Sequence, residues 1–242
     1  MTELTISPVR GLPELRAGDD LASMIAERAQ LEDGDVLVVA QKAISKIEGR
    51  IVRLDGVEPS ARARELAGDG DPRRIEVVLR EAKRLVRTRG SLVIAETSHG
   101  FICASAGVDA SNAPEPGTLV LLPIDPDASA AGLRAWLHEL TSREVGVVVS
   151  DSFGRPWRQG TTDVAIGAAG VEVLRDLKGE RDPTGYELRS TVIAIADEIA
   201  VAAELVMGKL DRTPVAIVRG LDAARDGSAQ ELVMPAERNL FT

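Results

Sequence analysis

Two polar segments of the sequence contain side chains suited to bind a divalent cation and a phosphate. Asp109 and Asn112 lie in the first segment, and Asp151 and Ser152 begin the second. Hard cations such as Mg²⁺ prefer carboxylate and neutral oxygen ligands, usually one or two carboxylates together with the phosphates of a substrate. The two aspartates, together with a serine hydroxyl, therefore predict a metal site that faces a phosphorylated ligand.

The surroundings of these residues favour that interpretation. Asp151 follows the apolar run 145–150, which reads as a buried strand, and open α/β sheets bind ligands at the carboxyl ends of their strands. Lys42 and Lys46 follow the apolar run 36–40 and suit a phosphate in the same way. Small residues fill the segment 99–112, where they let the backbone approach a ligand closely.

Each of these residues also has a plain structural interpretation. An aspartate after a strand is often a helix cap or a turn former, and lysines at such positions are often simply solvated. Cys103, between Ile102 and Ala104, is expected to be a small buried hydrophobe. The residues alone therefore indicate an anion and metal site in an α/β protein, and they leave the reaction open.

The common nucleotide-binding motifs are missing from the sequence. Gly208-Lys209 is followed by Leu210 and lacks the first glycine of a phosphate-binding loop. Gly68 and Gly70 lead into Asp-Pro and do not continue as a dinucleotide-binding fingerprint. A Walker-type or Rossmann site is therefore disfavoured.

The composition limits the classes of partner. The chain has 29 Lys and Arg against 38 Asp and Glu, a net charge of −9, whereas nucleic acids and anionic membranes require a basic surface. A single cysteine excludes an intramolecular disulfide. No apolar run approaches the ~18 residues that a membrane span needs. We therefore expect a cytoplasmic protein that binds neither nucleic acid nor membrane.

Alternating apolar and irregular segments predict an α/β fold (mixed α+β) with a mixed sheet. We predict strands at 36–40, 91–95, 119–122, 145–150 and 215–218. We predict helices within 19–31, 59–66, 73–86, 127–143 and 197–208. Residues 96–118 and 151–163 are predicted to be polar loops, and residues 175–188 an exposed excursion.

The polar segments also carry a family resemblance. From near its N-terminus to about residue 221, the chain resembles the coenzyme F420-0:γ-glutamyl ligase family. The matching blocks are 12–15 with 18–20, 34–39, 45–50, 99–104, 106–112, 150–158, 162–167, 194–198 and 204–209. Nine blocks in order, across most of the chain, make the resemblance specific.

The resemblance implies a reaction and an architecture. Members of this family use GTP to add L-glutamate to coenzyme F420-0, and then γ-linked glutamates to F420-1, through an acyl phosphate with release of GDP and phosphate. The implied fold is the F420-0:gamma-glutamyl ligase-like fold, in an intertwined homodimer. We expect one such domain over residues 1–242, without the nitroreductase-like domain that is fused to some bacterial relatives.

The resemblance also implies the roles of particular residues. Predicted contacts of GTP are Leu12, Pro13, Glu14, Leu15, Gln41, Lys42, Lys46, Asn112, Met207, Gly208 and Lys209. Predicted metal ligands are Asp109 and Asp151 for one ion, and Ser152 with a group of the 207–209 stretch, including Lys209, for a second. The ions are Mg²⁺ or Mn²⁺, with K⁺ as a further candidate. Asp109, Asp151 and Lys46 are the predicted catalytic residues.

Two departures from the family pattern leave questions open. Lys209 stands where an oxygen-bearing side chain is expected, and its ammonium cannot coordinate a cation; Gln41 stands where a hydroxyl residue is expected. The general base is unassigned among Asp163, Glu198 and His99. A metal-dependent phosphohydrolase, or a nucleotide-binding protein without catalysis, would use the same residues.

Overall fold

A computed structural model describes residues 3–240 of the chain. The α-helices within that range are α1 (Leu21–Ala26), α2 (Gln41–Ile47), α3 (Ala61–Ala67), α4 (Pro72–Glu81), α5 (Pro126–Thr141) and α6 (Ile195–Met207). The β-strands are β1 (Thr5–Pro8), β2 (Val36–Ala40), β3 (Ile51–Arg53), β4 (Ala82–Arg89), β5 (Leu92–Thr97), β6 (Ile102–Ala104), β7 (Thr118–Val120), β8 (Gly146–Arg155), β9 (Arg158–Ala169), β10 (Arg175–Asp176), β11 (Val192–Ile193) and β12 (Val215–Arg219).

The central sheet has five strands in the order β1-β12-β2-β8-β9. β2 and β8 are parallel, with Val38 opposite Val148, and the other neighbouring pairs are antiparallel. The predicted α/β class with a mixed sheet is therefore confirmed. β2 is buried on both faces, which explains its continuous run of apolar residues.

Helices cover both faces of this sheet. α1 and α5 pack on one face, where Ile25 and Leu137 join Leu37 and Val39 in one buried cluster. α6 packs on the other face through small residues such as Ala203, which let it approach Val38 closely. The result is a three-layer arrangement whose interior contains aliphatic side chains. Within the described range, no helix is both long and apolar enough to cross a bilayer.

A separate apolar cluster lies beside the three layers. It combines α3 and α4 with the antiparallel pair β3-β7 and the sheet β4-β5-β6. Arg50 links this part to the chain near the central sheet, because its Nε donates to the carbonyl oxygen of Leu122 and its guanidinium pairs with Glu81 at 2.8 Å. Asp109 belongs to this part through a β-bridge to Val120.

The helix predicted over 73–86 is shorter than expected. α4 ends at Glu81, and the chain turns into β4, where Leu85 lies opposite Ala95 of β5. The apolar residues of this segment fit a helical spacing, but antiparallel pairing with β5, across the turn at Gly90 and Ser91, determined the structure of its second half. Glu96 contributes to that pairing because it binds both Lys83 and Arg84.

The polar loop predicted over 151–163 is also wrong. β8 and β9 continue beyond the central sheet as a two-stranded ribbon, with Ser152 opposite Asp163 and a turn at Trp157, whose φ is 56°. Neither face of this ribbon is fully buried, so it lacks the apolar alternation that identifies a strand. Asp151 therefore lies within a strand, one residue after Ser150 makes the last pair with β2.

Candidate functional site

A cavity of about 670 Å³ opens where β2 ends and β8 leaves it. Its volume is in the range of pockets that hold small-molecule ligands. All eleven residues predicted to contact the nucleotide line it: Leu12, Pro13, Glu14, Leu15, Gln41, Lys42, Lys46, Asn112, Met207, Gly208 and Lys209. Asp151 and Ser152 line it as well. The predicted metal ligand Asp109 is not among the lining residues, although it contacts one of them, Lys42.

α2 places two lysines on the cavity wall. β2 runs directly into this helix, because Ala40 is both the last residue of the strand and the residue that precedes the helix. Lys42 and Lys46 are four residues apart and therefore share one face of the helix. The intervening Ala43 and Ser45 are buried, which fixes that face toward the cavity.

Gln41 has a fixed orientation at the start of α2. Its Nε2 donates to the Leu121 carbonyl oxygen at 2.8 Å and to the Ser45 hydroxyl oxygen at 2.6 Å. A main-chain carbonyl only accepts hydrogen bonds, so the amide nitrogen must face Leu121. Gln41 thus anchors α2 to the neighbouring part of the chain while it lines the cavity.

Three donors from two residues hold the Asp109 carboxylate. The Nζ atom of Lys42 lies 2.5 Å from its Oδ2, and the Ser111 hydroxyl and amide donate to it at 2.7 and 2.8 Å. Burial opposes ionisation of Asp109, but the hydrogen bonds from Lys42 and Ser111 outweigh it and lower its pKa to about 2. Asp109 is therefore an anion at neutral pH, and its partner Lys42 lines the cavity.

Asp151 has the opposite electrostatic environment. Burial raises its pKa to about 7, and the charge of Asp163 adds to the rise, while the Ser152 amide and the charge of Lys42 oppose it. Within residues 3–240 its side chain forms no ion pair, and its one hydrogen bond comes from the Ser152 amide at 2.9 Å. A carboxylate in this situation is stabilised by any cation that reaches it.

Asp163 and Glu204 add two more carboxyl groups to the cavity wall. Asp163 accepts hydrogen bonds from the hydroxyls of Ser150 at 2.9 Å and Ser152 at 2.7 Å. Burial and the charge of Asp163 raise the pKa of Glu204. Glu204 lies on α6, one turn before Gly208, and this position turns it toward the cavity.

The segment 12–15 closes another side of the cavity. Glu14 forms an ion pair with Lys46, and Leu15 is buried in the core beside α1 and α5. The ion pair joins the N-terminal segment to α2. Two of the cavity's lysines, Lys42 and Lys46, are thus already paired with carboxylates.

Two cations on the rim remain available for an anionic ligand. Lys209 and Arg212 are exposed, line the cavity and form no ion pair or side-chain hydrogen bond with the rest of the described chain. Sequence reasoning missed Arg212, because the loop 208–214 has no periodic pattern. The only signal was a basic residue close to Gly208-Lys209.

The three candidate bases are far from equivalent in the structure. The Nε2 atom of His99 lies 3.0 Å from the carbonyl oxygens of both Pro123 and Ile124, so it carries the hydrogen and ties two loops together. Glu198 is exposed on α6 and does not line the cavity. Asp163 alone of the three is a cavity residue.

The carboxylate and hydroxyl oxygens near the cavity suit a hard cation, although they do not form a preassembled metal site in the described part of the chain. Among the described residues, no three His, Cys, Asp or Glu side chains converge as a metal site. Lys42 pairs with the carboxylate of Asp109, and its charge also acts on that of Asp151, while Ser152 supplies a hydroxyl oxygen. Lys209 contributes charge but no ligand atom. Cys103 is buried as expected, and burial raises its pKa to about 12.

Comparison with known proteins gives one consistent result. The model of the family F420-0:Gamma-glutamyl ligase matches residues 11–220. The chain is 52% identical to Coenzyme F420:L-glutamate ligase of Methanopyrus kandleri over 221 residues, covering 90% of this chain and 87% of that protein. It is 44% identical to the protein of the same name from Archaeoglobus fulgidus over 239 residues, covering 98% and 95%. It is 40% identical to that from Methanothermobacter thermautotrophicus, covering 98% of both chains.

Proposed function

Because this chain belongs to the F420-0:gamma-glutamyl ligase family, we propose that it catalyses the GTP-dependent addition of L-glutamate to coenzyme F420-0, and then to F420-1, in coenzyme F420 biosynthesis. The observation that carries the proposal is the convergence of all eleven predicted nucleotide contacts, with Asp151 and Ser152, on one cavity. The same cavity contains both acidic groups and unpaired cations, which a reaction between anionic substrates requires.

The chemistry must activate a carboxylate, because a carboxylate does not react with an amine at neutral pH. In the first step, an oxygen of the F420-0 carboxylate attacks the γ-phosphorus of GTP, and the bond to the bridging oxygen breaks to release GDP. In the second step, the amine nitrogen of glutamate attacks the acyl carbon. The carbon–oxygen bond to phosphate breaks, phosphate leaves, and the amine loses a proton.

The cationic side chains of the cavity fit the first step. Phosphoryl transfer depends mainly on positioning and on neutralisation of charge. Lys42 and Lys46 line the cavity from α2, and Lys209 and Arg212 line it from the loop after α6. These four cations would contact the triphosphate. The segment 12–15 and Asn112 would contact the rest of the nucleotide.

Asp109 and Asp151 would hold one Mg²⁺ or Mn²⁺, and Ser152 a second. Such an ion, when bound, neutralises phosphate charge and polarises the phosphoryl oxygens. The half-buried carboxylate of Asp151, which forms no ion pair within the described chain, supports this role, because partial burial raises its pKa to about 7 and a cation would stabilise its charged form. The homodimer, the single domain over 1–242 and the cytoplasmic location stay predictions.

Glu204 is the carboxylate best placed to take the proton from the amine. Each oxygen of Asp163 accepts a hydrogen bond from a serine hydroxyl, and Asp109 is paired with Lys42. The Glu204 side chain, in contrast, accepts no hydrogen bond from the described chain. Burial and the charge of Asp163 raise its pKa toward the range where a general base works well.

Mass spectrometry of the products tests the proposal directly. The full chain is incubated with F420-0, GTP, Mn²⁺ and L-glutamate, and we expect F420-0 to gain glutamyl residues while one GDP and one phosphate form per residue added. GTP hydrolysis that is indifferent to both acceptors would instead show a phosphohydrolase. Nucleotide binding without any product would show a binding protein.

A further inference from the structure

Asp163 is a buried carboxylate whose two oxygens are both occupied by serine hydroxyls. It is 4% exposed, lies opposite Ser152 in the β8-β9 ribbon, and forms no ion pair with any other described residue. Its Oδ1 accepts from the Ser152 hydroxyl at 2.7 Å, and its Oδ2 accepts from the Ser150 hydroxyl at 2.9 Å. Burial of a carboxylate whose only partners are hydroxyls lowers the stability of the folded state. Its presence beside the cavity therefore requires an explanation.

The hydrogen bond fixes what Ser152 can offer to a ligand. A carboxylate only accepts hydrogen bonds, so the hydroxyl hydrogen of Ser152 must point at Asp163. The remaining lone pairs of Ser152 Oγ face elsewhere, and Ser152 lines the cavity. A serine without this partner would rotate its hydrogen toward a phosphate, whereas Ser152 can only accept.

The local charge also favours a cation at this place. The Asp163 carboxylate accepts the Ser152 hydroxyl directly, and Asp151 precedes Ser152 in β8, so two carboxyl groups lie beside Ser152 Oγ. An oxygen that only accepts hydrogen bonds, with carboxyl groups beside it, favours a positive ion over a phosphate.

We propose that Asp163 is a positioning residue that turns the Ser152 hydroxyl into a ligand for a divalent cation. The inference rests on the proposed function, because the cation is the second ion that the reaction would use. Asp163 itself touches neither the ion nor the substrates. It accepts the hydroxyl hydrogen of Ser152, so that this hydrogen does not point at the ion. The same hydrogen bond makes Ser152 Oγ more electron-rich, as the hydrogen-bond partners of metal ligands do in other metal sites.

The number of ions bound by the full chain tests this role. Mn²⁺ is titrated by calorimetry in the presence of a non-hydrolysable GTP analogue, and we expect two ions per chain. In Asp163→Asn the amide can donate to Ser152 Oγ and fill a lone pair. We expect that variant to bind one ion normally and the other about 10–100-fold more weakly.

Ser150→Ala is the matched control. It removes the other hydroxyl from the same carboxylate and leaves the Ser152 hydrogen bond in place, so it should keep both ions. If the melting temperature shows that Asp163→Asn is unfolded, Asp163→Ala replaces it. That variant frees the Ser152 hydroxyl to rotate and should lose the same ion.

The outcomes separate this inference from the proposed function. Two ions of normal affinity in Asp163→Asn, or loss of both ions together, would overturn the positioning role. A wild-type chain that forms glutamylated product with a single ion would overturn it as well, while the proposed function stands. A chain that binds no Mn²⁺ and forms no product would overturn the proposed function and this inference with it.

Discussion

The ammonium nitrogen of Lys42 lies 2.5 Å from Oδ2 of Asp109, so a predicted phosphate ligand is paired with a predicted metal ligand. The two residues are 67 positions apart, and the contact joins α2 to the segment 105–114. A divalent cation on the same oxygen would repel the ammonium at this distance. Binding of the ion at Asp109 would therefore release Lys42 to contact a phosphate.

Lys42→Ala should have opposite effects on metal binding at Asp109 and on nucleotide binding. Without the ammonium, we expect Mn²⁺ to bind Asp109 more tightly in the absence of nucleotide, because a competing cation is gone. GTP should bind roughly tenfold or more weakly, since a hydrogen bond to a charged group contributes about 1.5–3 kcal/mol. Calorimetric titration of each ligand measures both effects. Arg62→Ala, an exposed change on α3, is the control and should leave both affinities unchanged. Unchanged Mn²⁺ and GTP affinities in Lys42→Ala would contradict the idea that the ion displaces Lys42 from Asp109.

Asp151→Asn should stabilise the metal-free protein while it abolishes ligation. Burial raises the pKa of Asp151 to about 7, so the folded state binds its proton more tightly than the unfolded state, whose pKa is near 3.8. Stability is therefore lost as the pH rises from about 4 to about 7, by at most about 4 kcal/mol. Asparagine resembles the neutral form and avoids this loss.

Melting temperatures in the presence of a chelator test that expectation. The gain from Asp151→Asn should be large at pH 8 and small at pH 4. Added Mn²⁺ should stabilise the wild type and leave the variant unchanged. A gain of equal size at both pH values would show that the carboxylate is not destabilised by burial.

The parts of the fold that the sequence predicted are those with a strong local pattern. The run 36–40 is continuously apolar because both faces of β2 are covered, and α6 has an apolar period that ends at Gly208. The nucleotide residues were predicted by resemblance, and all of them line the cavity. α2 was not predicted, although only its helical spacing explains why Lys42 and Lys46 share one wall.

The parts that the sequence did not predict depend on pairing and side-chain contacts that no local apolar pattern marks. Leu85 fits a helix until Ala95 pairs with it, and Asp151 looks like a loop residue until Val164 pairs with it. The partner of Asp109 could not be predicted, because nothing local marks Lys42 as its neighbour. Arg212 reaches the cavity through a loop without regular structure, which no periodicity describes.

Glu204→Gln should change the pH dependence of ligation. Burial and the charge of Asp163 raise the pKa of Glu204, so it stays protonated to a higher pH than an ordinary glutamate. A general base must be deprotonated, so the wild-type rate should rise as the pH passes through this raised pKa. In Glu204→Gln we expect kcat to fall by about 10²-fold or more, with that rise absent.

Glu198→Gln is the matched control on the same helix. Glu198 is exposed on α6 and does not line the cavity, so its variant should keep the wild-type profile. Steady-state kcat between pH 5 and 9 measures the difference. A Glu204→Gln profile that keeps its wild-type shape would exclude Glu204 as the proton acceptor.

Gly208→Ala should weaken GTP binding by moving the rim of the cavity. Gly208 ends α6 with φ 62° and ψ 157°, a conformation that is essentially restricted to glycine and costs another residue about 1–3 kcal/mol. A Cβ atom there would also clash with Oδ2 of Asp211. The exposed Asp211 side chain can rotate away from this contact, but the backbone strain at position 208 remains. We therefore expect the following loop, which carries Lys209 and Arg212, to shift.

Calorimetric GTP affinity and melting temperature together test this expectation. We expect the variant to stay folded with a lower melting temperature and at least about tenfold weaker GTP binding, the loss of one charge-assisted contact. Gly132→Ala is the control, because that glycine lies in α5 with open space where its Cβ would be. It should keep wild-type affinity and gain slightly in stability. A Gly208→Ala protein with reduced stability but unchanged GTP affinity would show that Lys209 and Arg212 do not bind the nucleotide.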